Sequence, residues 1–349
     1  MMQSLQTSVL KDRLVSYKEE NPKARLVDIA KALNVSEMEA IHCQVDDDTI
    51  VALQADWQKL FAALPTLGPI MALTRNEFVV HECKGQYVPA SWQGPMGLVH
   101  GENIDLRMFS SRWTYLYAVQ VQNPRGILHS LQIFDGSGSA VHKIYLEKGG
   151  DLDAYRAIVQ ALRISRPDLP DQLVPQPAPE AARKIETAAI EGFRKDWAAL
   201  QDTHDFFSML RKHRVPRLQA MDIAGPEFVR EVSQASVAHL LEQAQAQGEP
   251  LMAFVGNPGM IQIYSGKVMN TKRMGDWMNV LDPTFNLHID EKGIHRVFVV
   301  HKPTRFGLIS SLEVFTAQGE LILSFFGYRK DEAQPSDSWG ELLSSLGQS

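Results

Sequence analysis

WTYLYAVQVQNPRGILHSLQIFDGSG (residues 113–138) and IHRVFVVHKPTRFGLISSLEVFTAQG (residues 294–319) are the two stretches that decide the fold. Each reads as an alternating apolar run, a turn, a second apolar run and a turn closed by glycine, the pattern of paired β-strands. The two stretches are 181 positions apart. Sliding residues 70–145 forward by that offset lays them on 251–326 without a gap, and 13 of the 76 positions are then identical. The matches include Met71/Met252, Asn76/Asn257, Gly126/Gly307, Leu131/Leu312, Phe134/Phe315 and Gly138/Gly319. A fixed offset of this size is the mark of a repeated unit. The chain is an internal duplication.

The turns Asn123-Pro124-Arg125-Gly126, Asp135-Gly136-Ser137-Gly138 and Pro303-Thr304-Arg305-Phe306-Gly307 join strands without intervening helices, which implies antiparallel pairing. Helical periodicity lies in the flanks, at 8–44, 51–64, 151–164, 180–213, 227–247 and 337–346. The expected class is α+β: two similar halves, each a mainly antiparallel β-meander with flanking helices. Five prolines between Pro167 and Pro179 mark 166–184 as an extended linker. The first repeat is therefore expected over 1–165 and the second over 185–349.

A chain of 349 residues with 44% apolar and 22% charged side chains can bury full cores, and disorder and coiled coil are excluded. The net charge of −6 gives no basic footprint for nucleic acid or an anionic membrane. No apolar run is long enough to span a bilayer, and the opening residues lack the apolar core of a signal peptide. Cys43 and Cys83 are too few for a disulfide framework or a four-cysteine zinc site, and neither lies in a Cys-x-x-Cys-His run that would attach heme covalently. A reducing cytoplasm is expected. Dinucleotide, P-loop, nucleophile-elbow and zincin motifs are absent.

Three local features need weighing. Residues 24–41 have helix-turn-helix spacing, yet the second helix carries Glu37 and Glu39 and runs into Asp46-Asp47-Asp48, the wrong sign to face phosphates. A structural hairpin is the better reading. His204 stands at the start of a helix, with Asp202 or Thr203 as the expected N-cap. There the macrodipole disfavours a proton on imidazole, which suits a metal ligand as well as a capping or surface histidine. His81 ends the apolar run Phe78-Val79-Val80 beside Glu82 and Cys83, as a second ligand or a strand-edge histidine.

Several longer runs carry a resemblance: Arg75-Asn76-Glu77 through His81-Glu82, Ile104-Asp105-Leu106-Arg107-Met108-Phe109, Asp202-Thr203-His204-Asp205-Phe206-Phe207, Phe254-Val255-Gly256-Asn257, Pro283-Thr284-Phe285-Asn286-Leu287-His288 and Lys302-Pro303-Thr304. In order, and over nearly the whole chain, they resemble the HemS/HmuS-type cytoplasmic heme-handling proteins of Gram-negative bacteria. The resemblance implies a heme site between the halves. It makes His204 the axial iron ligand and Arg107 the distal residue, catalytic if the protein is an enzyme. It puts Phe254 on the apolar wall, Lys302 and Arg329 near the propionates, the Tyr328 hydroxyl among the remaining polar contacts, and His81 at a possible second heme contact. Ser324-Phe325-Phe326-Gly327-Tyr328-Arg329 departs from the Gln-x-Tyr-Gly-Gln-Arg run common in members, which weakens polar contacts from 324 and 326.

The function it implies is cytoplasmic binding of heme b, held non-covalently during heme uptake and iron acquisition and delivered onward. The alternative is heme-oxygenase-like cleavage that releases iron, with electrons from an external donor. The implied partners are heme, an inner-membrane heme importer, and a separate heme oxygenase or external reductant; DNA is disfavoured and no membrane insertion is expected. Arg107 is His288 in the second copy, and His81 is Gln262. Polar positions have diverged while the apolar skeleton is shared, so one asymmetric heme site per chain is expected.

Overall fold

The computed structural model describes residues 2–46, 48–124, 126–166, 169, 172–176, 178–329 and 336–347. The turn residue Arg125 and the linker residues Pro167, Asp168, Pro170, Asp171 and Pro177 lie outside them. The first repeat opens with helices α1 (Met2–Glu20), α2 (Leu26–Leu33) and α3 (Glu37–His42). Strand β1 (Ile50–Leu53) and helix α4 (Trp57–Ala63) follow. Then come β2 (Ile70–Arg75), β3 (Val79–Gly85), β4 (Ser91–Gln93), β5 (Met96–His100), β6 (Asp105–Phe109), β7 (Trp113–Asn123), β8 (Gly126–Asp135), β9 (Ala140–Leu146) and helix α5 (Leu152–Leu162). The second repeat has α6 (Thr187–Ala198), α7 (Asp205–His213), α8 (Arg217–Ile223), β10 (Val229–Val232) and α9 (Ser236–Gln247). It continues with β11 (Pro250–Asn257), β12 (Met260–Lys267), β13 (Thr271–Met274), β14 (Trp277–Leu281), β15 (Phe285–Asp290), β16 (Arg296–Thr304), β17 (Gly307–Phe315), β18 (Leu321–Gly327) and α10 (Asp337–Ser345).

The duplication is real in three dimensions. Shifted by 181, β5 and β9 fall residue for residue on β14 and β18, and β2 to β4 and β6 to β8 fall on their counterparts to within two residues at each end. The strands form two nine-stranded antiparallel sheets, of order β1-β7-β8-β9-β2-β3-β15-β14-β13 and β10-β16-β17-β18-β11-β12-β6-β5-β4. The identical glycines explain themselves: Gly138 and Gly319 sit at φ 78° and 86°, where an L side chain is strained. At Gly138 a Cβ would also meet Ser36 Oγ at the head of α3.

Two expected helices divide differently. Ile50–Leu53 and Val229–Val232 are strands, pairing with β7 and β16 respectively. Both are four-residue apolar runs next to helices, where periodicity cannot tell the two structures apart. The 24–41 hairpin is helical, with Asn34 in the left-handed region and a Ser36–Glu39 capping box opening α3. Helix α3 buries Met38, Ala40, Ile41 and His42, so its apolar side is committed to the protein core.

By contact, the chain forms two compact units. The first is Met1–Arg75, Glu82–Pro177 and Asn257–Gln262; the second is Asn76–His81, Ala178–Gly256 and Ile263–Ser349. Each unit thus includes six residues of the other repeat, at the same positions under the 181 offset. Asparagines hold these inserts. In the second unit the Asn76 amide donates to the carbonyls of Gly256 (3.1 Å) and Ile322 (2.8 Å), while its oxygen accepts from the N–H groups of Phe78 and Val79. In the first unit the Asn257 amide donates to Arg75 (3.0 Å) and Val141 (2.8 Å), and its oxygen accepts from Gly259. Every donated bond of one asparagine has its 181-shifted equivalent at the other.

The first unit packs Met38, Ile41, Tyr117, Val119 and Phe134 together, with linker residues Leu169 and Leu173 against them. The second centres on Phe193, Trp197, Phe206, Met209, Phe298 and Phe315. Asn76→Ala or Asn257→Ala takes the side-chain donor from two backbone carbonyls and the acceptor from the neighbouring N–H groups. Each should lower stability by about 2–4 kcal/mol, measured as a shift in the urea midpoint.

Candidate functional site

Helix α7 carries the leading residue. His204 is itself the N-cap, rather than Asp202 or Thr203, and it adopts helical dihedrals. Asp202 instead serves His204: its Oδ1 accepts the His204 backbone N–H at 2.9 Å and faces the ring Nδ1 at 2.6 Å. The backbone hydrogen bond, aided by the imidazole, holds the Asp202 carboxyl below its ordinary range despite some desolvation. An ionised carboxylate only accepts, so Nδ1 is the donor of this contact and Nε2 is the ring nitrogen turned away from Asp202. The side chain is 89% exposed. That is the arrangement of a metal-ligating histidine with its orienting carboxylate.

Beneath α7 lies a buried charge cluster that the strand pattern alone does not announce. Phe206, two residues beyond His204, is buried. The Lys302 ammonium sits 4.5 Å from its ring centre and the Arg217 guanidinium 5.4 Å. Both cations bind Glu313, Arg217 through a two-pronged contact of 2.9 and 3.0 Å and Lys302 through its Nζ. Burial pushes the Glu313 carboxyl up, but the two cations outweigh it and hold it down at about 2. Burial, with Arg217 adding to it, brings the Lys302 ammonium below its ordinary range, against the pull of Glu313. Lys302 is therefore an interior ion-pair partner with a 4% exposed side chain, not a surface cation. Arg217 and Glu313 went unnoticed in the sequence. A usable signal was present, because Glu313 stands where the first repeat has Gln132 and Lys302 where it has Val121.

Phe326 extends the cluster, with Lys302 6.0 Å from its ring and the Phe254 ring 4.9 Å beyond. The second unit thus gathers Phe254, Lys302 and the start of α7 into one contiguous run. Tyr328 and Arg329 follow the end of β18, the first exposed and the second half-buried; Tyr328 N–H donates to the Pro250 carbonyl at 3.3 Å. Arg107, on β6 of the first unit, is partly exposed and ion-paired to Asp105, which also meets His100 Nδ1 at 3.1 Å.

His81 is placed otherwise than a strand-edge ligand. It lies within β3, is 0% exposed and packs its ring on Phe285 at 5.1 Å. It takes part in a hydrogen bond at the Ala253 backbone. Its counterpart Gln262 donates to the Ala72 carbonyl, the 181-shifted position, at 2.9 Å. The two side chains do the same structural work.

Fold and site together define a duplicated α+β protein that presents an outward, carboxylate-oriented imidazole on one of its units. The family model described as the haemin-degrading HemS.ChuX domain matches residues 34–162 and again 214–346. The hemin transport protein HemS of Yersinia enterocolitica is 33% identical over 337 residues, covering 96% of each chain. The heme-binding protein PhuS of Pseudomonas aeruginosa, in its holo crystal structure, is 41% identical with a TM-score of 0.93, over 98% of this chain and 99% of that one. The heme-degrading enzyme ChuS of Escherichia coli O157:H7 is 30% identical with a TM-score of 0.89, over 98% and 99%. The chain belongs to the HemS family.

Two measurements probe this geometry without a ligand. Glu313→Ala leaves the buried Lys302 ammonium without its carboxylate and should cost about 3–5 kcal/mol in urea unfolding. Lys302→Met, which leaves the Arg217–Glu313 pair intact, should cost distinctly less. The second concerns acid. Burial pushes the His81 imidazole down to about 3, so the folded protein keeps it neutral while the unfolded chain protonates it near its ordinary 6.5. Stability must then fall as pH drops from about 6.5 toward 3, by up to tenfold in the unfolding equilibrium per pH unit. His81→Gln, which copies Gln262, should flatten that slope in urea unfolding measured across this range.

Proposed function

We propose that this chain binds heme b non-covalently in the cytoplasm as cargo taken up for iron acquisition, with His204 Nε2 on the iron. The observation that carries the reading is the Asp202–His204 pair, in which the carboxylate takes the Nδ1 side and leaves Nε2 of an exposed ring to face a ligand. Heme needs such an imidazole, apolar side chains for the ring and cations for two carboxylates. Phe254 and Phe326 supply the apolar wall, Tyr328 and Arg329 the polar edge, and Lys302 holds that wall from within through Glu313. Arg107 is assigned to the distal side. His81 is left out, since a fully buried ring packed on Phe285 offers heme no approach.

Onward delivery is the role supported by the likeness to the hemin transport protein HemS and the heme-binding protein PhuS; an inner-membrane importer and a separate heme oxygenase are the partners proposed for it. The likeness to ChuS supports a second role, oxidative opening of the ring with electrons from an external donor. Air, ascorbate and catalase added to the heme complex separate the two. Loss of the Soret band with iron release and a defined tetrapyrrole establishes degradation; a persistent Soret band establishes carriage.

The binding assignment has its own measurement. His204→Ala should change the ligand-field bands and speed heme loss to apomyoglobin more than any other single histidine replacement. Asp202→Ala, which keeps the imidazole but frees its orientation, should weaken binding by roughly 10–100-fold. A His204→Ala spectrum and dissociation rate equal to wild type would remove this histidine from the site.

A further inference from the structure

Helix α7 shows more than His204 to solvent. Residues 204, 207, 208 and 211 recur at i, i+3, i+4 and i+7 and so share one face of the helix. On that face Phe207 is 60% exposed, although it is among the larger apolar side chains. The Arg211 guanidinium lies over the Phe207 ring, 5.0 Å from its centre, and donates to Ser208 Oγ at 3.3 Å. The opposite face behaves differently: Phe206, Met209 and Leu210 are buried in the second core. Of the basic residues in the last turn, Lys212 and His213 are both held by Asp196, at 2.6 and 2.7 Å. Among the described residues no carboxylate pairs with Arg211.

We propose that this face is part of the ligand platform: Phe207 lies against the porphyrin ring, and Arg211 meets a propionate. The inference rests on the heme reading above and extends it to two residues to which neither the motifs nor the resemblance gave a role. The geometry is that of a helix running beneath a flat ligand. Phe207 lies about 4.5 Å along the axis from His204, and Arg211 about 10.5 Å. An imidazole that holds the centre of a macrocycle therefore has an aromatic ring under the macrocycle's body and a guanidinium toward its rim. Charge matches as well, because the ligand carries two carboxylates and the cation on this face is Arg211. An exposed phenylalanine in that position gains from being covered by a ring, and Arg211 stacked on it is already turned outward.

Hemin and its dimethyl ester, which lacks the propionate charges, distinguish the two contacts. Wild type, Phe207→Ala and Arg211→Gln are loaded with each, and transfer to apomyoglobin is timed. Phe207→Ala should release both ligands faster. Arg211→Gln should release hemin faster by up to about fivefold, the range of a solvent-exposed ion pair, and leave the dimethyl ester at the wild-type rate. Added salt should reduce the Arg211 effect and spare that of Phe207. Both side chains are exposed, so circular dichroism should match wild type. Hemin release unchanged in both variants, while His204→Ala accelerates it, would overturn the platform and leave the axial assignment standing. No Soret shift in wild type would overturn the heme reading itself.

Discussion

The reciprocal asparagine clamp is the constraint on which the rest of this structure depends. Asn76 and Asn257 each turn a corner between two strands and donate to two backbone carbonyls on neighbouring strands. Because the donated bonds of one have 181-shifted equivalents at the other, the clamp and the duplication are a single fact. It explains why 76–81 belongs with the second unit and 257–262 with the first. A chain cut at the proline-rich segment would separate each insert from the unit that contains it.

Within that frame the two copies have specialised by charge. At the positions equivalent to Glu313 and Lys302 the first unit has Gln132, which is buried and donates to Ser130 Oγ, and the exposed Val121. The second has Glu313 there and adds Lys302 and Arg217 around it. A buried ion pair is weak support for stability, since desolvation offsets much of the attraction. What the cluster does provide is geometry: two cations lie over the ring of Phe206, two residues beyond His204, and so anchor the helix start that carries it. The imidazole is thus oriented twice, from below through Phe206 and alongside through Asp202.

Much of this is legible in the chain itself. The alternation of apolar residues at period 2, repeated at a fixed offset, determined the class, the duplication and most strand positions, because sheet burial forces that period on any sequence. The shared glycines and asparagines marked turns whose backbone demands those residues. His204 and its neighbours were found from helix-start chemistry and a motif. The short strands Ile50–Leu53 and Val229–Val232 were misread as helix, because four apolar residues carry no period.

Tertiary structure alone decided the rest, and the reason is that burial and partnership are properties of distant pairs. Nothing local distinguishes Lys302 as an interior ion-pair partner from Lys302 as a surface cation; only the pairing of β16 with β17 brings Glu313 to it. His81 looked like a ligand at a strand end and became a buried donor, because the exchange of inserts sets it beside Ala253 and Phe285. The sequence by itself determined that two like β-rich halves exist and that one carries a helix-start histidine. The long-range contacts determined which charges are buried, which imidazole is closed off and which remains open.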